Sequence, residues 1–319
     1  MNFLENVQNQ PNNQWYKYLA IILITLVGGQ LLGVIPLAVF TVVKGVESGQ
    51  MSNMENGLDL SMYGVSNTVT LIFILIPFLV SILFYVLFFK SIHKRSWKTT
   101  VNGTTKIRWN RFFLGVLVWG SVSLVLFVIS YFSSPEDFEI QFDLAKWVPL
   151  LVVSVLILPF QTSYEELIFR GYLAQGVGNL FRNRLLVIII PSIGFALLHG
   201  FNPEIEKYGF WVMMPQYFTI GATFALISVL DDGIELAMGA HAINNIFSSV
   251  MLNYEGSALT TDAAFLQKNI DPQYELIGLV LMSTIICFGL GKYSKWDWSL
   301  LTKRIEGSTP EHVDEETTD

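Results

Sequence analysis

Cysteine occurs once in the 319 residues, at Cys287, which excludes an intrachain disulfide framework and any cysteine-built zinc or iron–sulfur site. Charge is scarce too: Asp, Glu, Lys and Arg make up 14% of the chain, against about 25% in ordinary soluble domains. A compact soluble globule needs charge to cover its surface. The 52% hydrophobic content, 24 Phe and mean hydropathy of +0.49 point instead to a polytopic, all-α membrane protein. Basic clusters of the kind that bind nucleic acid are missing. The net charge of -7 owes much to the end of the chain, where six acids (Glu306, Glu311, Asp314, Glu315, Glu316, Asp319) follow Arg304 with no further Lys or Arg. Residues 301–319 are therefore expected to be a disordered acidic tail. No internal repeat is visible, and repeats mark many transporters.

What the sequence has in quantity is long apolar runs. About 20 mostly apolar residues cross the roughly 30 Å of hydrocarbon, and eight stretches qualify or nearly do: 18–42, 67–89, 112–132, 147–180, 185–200, 208–230, 234–252 and 274–292. The first has no small-residue cleavage pattern and reads as a retained anchor. Pro159, Pro191 and Pro215 are expected to kink spans four, five and six. Seven basic residues (Lys90, Lys94, Arg95, Lys98, Lys106, Arg108, Arg111) lie between spans two and three. With both termini inside, 15 of the 19 Lys and Arg fall on the cytoplasmic side, leaving Lys44, Lys146, Lys207 and Lys268 outside. The expectation is eight helices, N-in and C-in.

The fourth run is too long for one span and carries Glu165, Glu166 and Arg170 inside it. A charge at bilayer depth costs about 2.5 to 3.5 kcal/mol on insertion scales. Three together therefore rival the roughly 5 to 15 kcal/mol of a whole fold's stability. Glu166 and Arg170, spaced i,i+4, share a helix face and can pair; Glu165, about 100° round the helix, has no such acid–base partner. Span five places Phe195 and His199 four apart, and span seven does the same with His241 and Asn245, with Asn244 beside them. These are the two histidines of four that fall within apolar spans.

Together these residues hold the parts needed to hydrolyse an amide. Arg170 commits Glu166 to a pair, which leaves Glu165 as the base for water, with His199 sharing that water and His241 and Asn245 donating to the oxyanion. Glu166, Arg170 and Phe195 support the site, and Asn244 serves as interhelical glue. If His199 and His241 sit at similar depth with Glu165, the three could alternatively hold zinc, although the one-helix His-Glu-x-x-His spacing is absent. Span four and span five, turning near Arg182 to Arg184, bring Glu165 and His199 to similar heights. His241, only eight residues beyond Gly233, falls lower, a mismatch that the helices must resolve.

The three ordered motifs, Glu165-Glu166-x-x-x-Arg170 extended by Gly171 and Leu173, Phe195-x-x-x-His199 and His241-x-x-x-Asn245, resemble those of the CAAX prenyl endopeptidase and bacteriocin-processing family (CPBP, also called Abi) of intramembrane, metal-independent glutamic proteases. The resemblance covers about 147–252. It implies the same residue roles, no covalent intermediate, no cofactor, and a core of eight helices in the cell membrane. With the span and charge reading, the expected arrangement is a cytoplasmic segment at 1–17, accessory helices at 18–146, the catalytic core at 147–252, the last outer loop and helix at 253–300, and the tail. The expected partners are a membrane-associated peptide or protein substrate and the lipid bilayer, with no nucleic acid. Two other classes remain open at this level: a proton-coupled transporter using buried Glu and His, and a non-catalytic bacteriocin self-immunity protein.

Overall fold

A computed structural model of the chain describes residues 3–8, 10–48 and 60–307. The helices, in chain order, are α1 (Glu5–Gln8), α2 (Trp15–Ser48), α3 (Asn67–His93), α4 (Thr99–Asn102), α5 (Trp109–Ser133), α6 (Leu144–Phe181), α7 (Arg184–Leu198), α8 (Pro203–Tyr208), α9 (Phe210–Leu230), α10 (Glu235–Val250) and α11 (Pro272–Ser294). The fold is all-α, as expected. Among the described residues six helices, α2, α3, α5, α6, α9 and α11, are long and apolar enough to cross a membrane, which makes the chain a multi-pass membrane protein.

The expected count of eight is not reached by that measure. The other two expected spans are α7, with 15 residues, and α10, with 16. At about 1.5 Å per residue they fall short of the roughly 30 Å of hydrocarbon, and α10 is further diluted by Glu235, His241, Asn244 and Asn245. Both short helices carry the histidines of the motifs. The helices run on through Pro159, Pro191 and Pro215.

Helix α6 shows how local chemistry sets the frame. Asp143 caps its start, accepting from Ala145 N at 2.9 Å, and Arg182 closes it in the left-handed region at φ 56°. Asn183 then caps α7 by accepting from Leu186 N at 3.1 Å, so the expected α6–α7 turn lies at Arg182 to Arg184. Within α6, residues Leu167–Leu173 are π-helical, directly after the glutamate pair; such segments recur at functional sites. At 38 residues the helix is about 57 Å long by its rise, so it must extend well beyond the hydrocarbon.

That length resolves the depth mismatch. Gly171 packs so closely that a Cβ built on it would lie 2.7 Å from Thr100 Cγ2 and 3.4 Å from Ile234 Cδ1. Ile234, at the start of α10, is therefore level with Gly171. Five residues back along α6 is Glu166 and seven residues on along α10 is His241, and the two meet. The Arg182 turn lies 11 residues past Gly171, about 16 Å further out, so the two turns do not share a level. The protruding end of α6 is wrapped by the chain's ends: Gln175 Nε2 donates to Phe3 O at 3.0 Å, Asn179 Nδ2 to Asn13 O at 2.9 Å and Ile305 N to Arg182 O at 3.0 Å.

Ile305 is buried, so the start of the expected disordered tail, 301–307, packs on the fold; residues 308–319 lie outside the described ones. On the opposite side three short strands, β1 (Phe138–Ile140), β2 (Leu252–Tyr254) and β3 (Phe265–Gln267), form a sheet in the order β1-β3-β2. It joins the α5–α6 loop to the α10–α11 loop, with Glu139 antiparallel to Leu266 and Asn253 parallel to it.

Helix α10 is pressed between α5 and α6. Its approach to α5 is by backbone: Gly115 lies against Leu236 O, and Gly239 against Phe112 O, with a Cβ on Gly115 falling 2.9 Å from Ala240 N. Small residues at such a crossing let two membrane helices touch closely, and any larger side chain would push α10 off α5 and displace His241 relative to the α6 glutamates.

Candidate active site

The polar residues of α6 and α10 converge in one buried network. Arg170 Nη1 donates to Glu166 Oε1 at 3.0 Å, the expected i,i+4 pair, with both side chains fully buried. His241 Nδ1 lies 2.7 Å from the same Glu166 oxygen. A carboxylate paired with Arg170 can only accept, so Nδ1 carries the hydrogen. His241 Nε2 faces the other glutamate, 3.6 Å from Glu165 Oε2. One imidazole thus spans both acids of the doubled glutamate.

Glu165, which has no cation one turn away on α6, is bonded there to an amide. Gln161, one turn earlier on α6, donates from Nε2 to Glu165 Oε1 at 2.6 Å. Gln161 Oε1 in turn accepts from Asn245 Nδ2 at 3.0 Å, Asn245 Oδ1 from Asn244 Nδ2 at 3.1 Å, and Asn244 Oδ1 from the Trp119 indole at 3.1 Å. An indole N–H only donates, so Trp119 fixes which end Asn244 presents. Each amide then fixes the next, and the chain ends by requiring an acceptor oxygen on Glu165. Gln161, Asn244 and Trp119 are the members that the motifs did not single out. Gln161 had a sequence signal, the same four-residue spacing to Glu165 that the motifs use, but an uncharged amide in an apolar run attracts no notice.

Arg170 is held in an unusual way. Its Nε and Nη2 atoms have no hydrogen-bond partner among the described residues, nor does Glu166 Oε2. Three rings surround the guanidinium instead: Phe195 at 4.1 Å from Cζ to centroid, Phe224 at 5.7 Å and Phe169 at 5.9 Å, an arrangement in which ring faces stabilise the cation. Phe195 therefore supports Arg170 across the α6–α7 contact, and Phe224 of α9 also packs 5.3 Å from the His241 ring.

His199 is placed apart. Its Nδ1 is 2.8 Å from Phe195 O and its ring stacks on Tyr217 at 4.5 Å. Among the described residues no hydrogen bond or ion pair joins it to Glu165, Glu166 or His241; Phe195, 4.4 Å from His199 and 6.1 Å from His241 between centroids, stands between them. A carbonyl accepts, so Nδ1 carries the hydrogen and Nε2 presents its lone pair. Tyr217 is itself held by Asn202 Nδ2, which donates to its hydroxyl at 2.9 Å, and by the buried Glu204 carboxylate, to which that hydroxyl donates. The zinc trio of Glu165, His199 and His241 is not assembled: among the described residues no three His, Cys, Asp or Glu side chains are grouped to hold a metal ion.

With this geometry in hand, comparison with known proteins is informative. Residues 144–247 match the family described as type II CAAX prenyl endopeptidase Rce1-like. A protein of Bacillus subtilis (strain 168), the uncharacterized protein YyaK, is 30% identical over 165 residues, which are 51% of this chain and 55% of that protein. The chain thus spans about half the length of that curated relative. No solved structure gives a significant match. The matched range opens with α6 and stops two residues after Asn245, enclosing the whole network described above except Trp119. Residues 144–247 thus form an Rce1-like region similar to the type II CAAX prenyl endopeptidases, set among the other helices of this chain.

Proposed function

We propose that this chain is a membrane-embedded endopeptidase in which Glu165 activates the water that cleaves the peptide bond. The observation that carries the reading is the continuous network from Asn245 through Gln161 to Glu165, with His241 bonded to Glu166 and facing Glu165. The network supports a base and two prospective oxyanion donors on neighbouring helices, and among the described residues no serine or cysteine side chain is bonded into it.

The charges support the roles. Glu165, Glu166 and Arg170 sum to one negative charge, and a buried cluster favours neutrality. A protonated His241 supplies the balance. Its Nε2–H then joins the second N–H of Asn245 in stabilising negative charge on the carbonyl oxygen. Glu165 takes a proton from water as the water oxygen bonds to the carbonyl carbon, and passes that proton to the departing amine nitrogen as the C–N bond breaks. His199, with the lone pair of Nε2 presented, shares the water from the α7 side. The substrate is a peptide or protein segment presented at the membrane.

The test is hydrolysis of a quenched peptide library by the purified protein in detergent, compared with Glu165→Ala. Cleavage by wild type and none by the variant is expected. Equal cleavage by the two would remove Glu165 as the base, and no cleavage by a folded wild type would favour the non-catalytic reading.

We further propose that the chain sits in the cell membrane with the 90–111 loop inside. On a Cys287→Ser background, an impermeant thiol reagent applied to intact cells should label Glu136→Cys and spare Lys98→Cys, both positions being exposed. The opposite pattern would invert the topology.

A further inference from the structure

Arg95 follows the end of α3 and has a guanidinium whose Nε and Nη2 atoms are buried and without a hydrogen-bond partner among the described residues. No acid pairs with it there. Its Cζ lies 5.5 Å from the Phe89 ring centroid. The Tyr18 hydroxyl donates to Asn13 Oδ1 at 2.5 Å and is itself hydrogen-bonded by Arg95, which leaves Nε and Nη2 as the donors without a partner. The one acid of the adjacent N-terminal helix, Glu5, is bonded to Arg184, and Asp232 accepts from Phe3 N at 2.9 Å. Arg95 as a residue is only half-buried, but its two unsatisfied buried donors call for a ligand or another physical explanation.

The guanidinium borders a cavity of about 60 Å³ lined by Asn6, Val7, Gln10, Arg95, Thr99 and Gly103. The lining holds a cation, two amides and a hydroxyl, with no carboxylate. A liquid water occupies about 30 Å³, so the space suits two waters or the non-ester oxygens of one phosphoryl group. Lys94 and Lys98 lie beside it in sequence, and both are exposed. Arginine's fork of N–H donors matches the oxygens of phosphate, and basic pockets between membrane helices recognise phosphate head groups.

We propose that Arg95, with the second N–H of Gln10, forms a binding site for a phosphate oxyanion, offered either by an anionic lipid head group or by free phosphate; Thr99 only lines it, because its hydroxyl donates to Ser96 O at 2.7 Å. The occupant satisfies the two guanidinium donors and ties the N-terminal segment to Arg95, beside α4. That short helix holds the start of α10, because Val101 O accepts from Ile234 N at 2.8 Å. The site stands apart from the glutamates, so the proposal does not depend on catalysis.

The experiment is thermal unfolding of the full chain in phosphatidylcholine nanodiscs. Wild type, Arg95→Gln and Gln10→Ala are compared in three arms: inorganic phosphate, chloride at matched ionic strength, and discs doped with phosphatidylglycerol. Phosphate or phosphatidylglycerol should raise the wild-type unfolding temperature, with chloride inert. Arg95→Gln should weaken the half-saturating concentration at least about tenfold, the worth of one charge-assisted hydrogen bond. Gln10→Ala, which keeps the cation, should weaken it less and serves if Arg95→Gln does not fold. A response to phosphatidylglycerol alone assigns the head group as the source, and a response to phosphate alone assigns the free anion. The proposal is overturned if all three proteins respond equally, if none responds, or if chloride acts as well as phosphate.

Discussion

The molecule contains two clusters built from two acids and their bases, and they are solved differently. At the foot of α10, Glu235 accepts from Asn102 Nδ2 and from the backbone N and side-chain Nε of Arg108 on one oxygen, and from Arg108 Nη2 at 2.6 Å on the other. Asp231 accepts from Arg111 on both oxygens and from the Trp296 indole at 3.1 Å. Two acids meet two arginines, and each carboxylate oxygen is used. Burial works against the Arg108 charge, but bonding to Glu235 outweighs it and its pKa is raised. The α6 cluster has two acids, one arginine and a histidine. Glu166 Oε2 and two Arg170 nitrogens lack partners there. Among the described residues the first cluster is closed bond by bond while the second keeps unmet capacity, which is what the proposed mechanism asks of groups that exchange protons with a substrate.

The largest effect that separates the two clusters should be on turnover. Asn245→Ala is expected to lower kcat by about 10² to 10³ with the unfolding temperature nearly unchanged, whereas Glu235→Gln should leave kcat per folded molecule within a few-fold of wild type. A kcat loss of similar size in both would erase the distinction.

Stability should separate them next. Arg170→Met leaves the fully buried Glu166 with only His241 as a partner, at a cost of about 3 to 5 kcal/mol. Arg108→Met should cost less, because that side chain is 32% exposed and Arg111 still holds Asp231. Denaturation of the two variants in the same detergent checks the order, and an Arg108 variant that melts below the Arg170 variant would reverse it.

The smallest effect belongs to Gln161→Leu. It removes the bridge between Glu165 and Asn245 but neither group itself, so kcat should fall by about tenfold, the worth of one mispositioned charge-assisted hydrogen bond. Wild-type turnover would show that the bridge does not orient the base.

The sequence was most informative where helix periodicity alone fixes neighbours. Glu166 and Arg170 pair across one turn, and the all-α membrane architecture follows from composition. Contacts between helices were less legible. That His241 bonds Glu166 depends on α6 running about 16 Å past the level of the Asp231–Gly233 turn, and a count of apolar residues does not register where a helix leaves the bilayer. The count of eight spans is not confirmed at α7 and α10 for a related reason: apolar runs that include their flanking turns look longer than the helices they contain. His199 was expected beside Glu165 from matching heights. Height says nothing of azimuth: His199 bonds the Phe195 carbonyl and stacks on Tyr217, and no hydrogen bond joins it to Glu165 among the described residues.

The π-helical stretch Leu167–Leu173 has a consequence for the two ends of α6. Bonds from i to i+5 take up more residues per turn than the α-helix on either side, so the stretch changes the angular phase between them. The half that bears Gln161, Glu165 and Glu166 is addressed to α10, while the half that bears Gln175 and Asn179 is addressed to the chain's N-terminal segment. Deleting one residue between Leu167 and Leu173 should preserve helical content by circular dichroism yet turn one half by about 100° against the other. The chain could then keep the histidine–glutamate bond or its hold on Phe3, and not both.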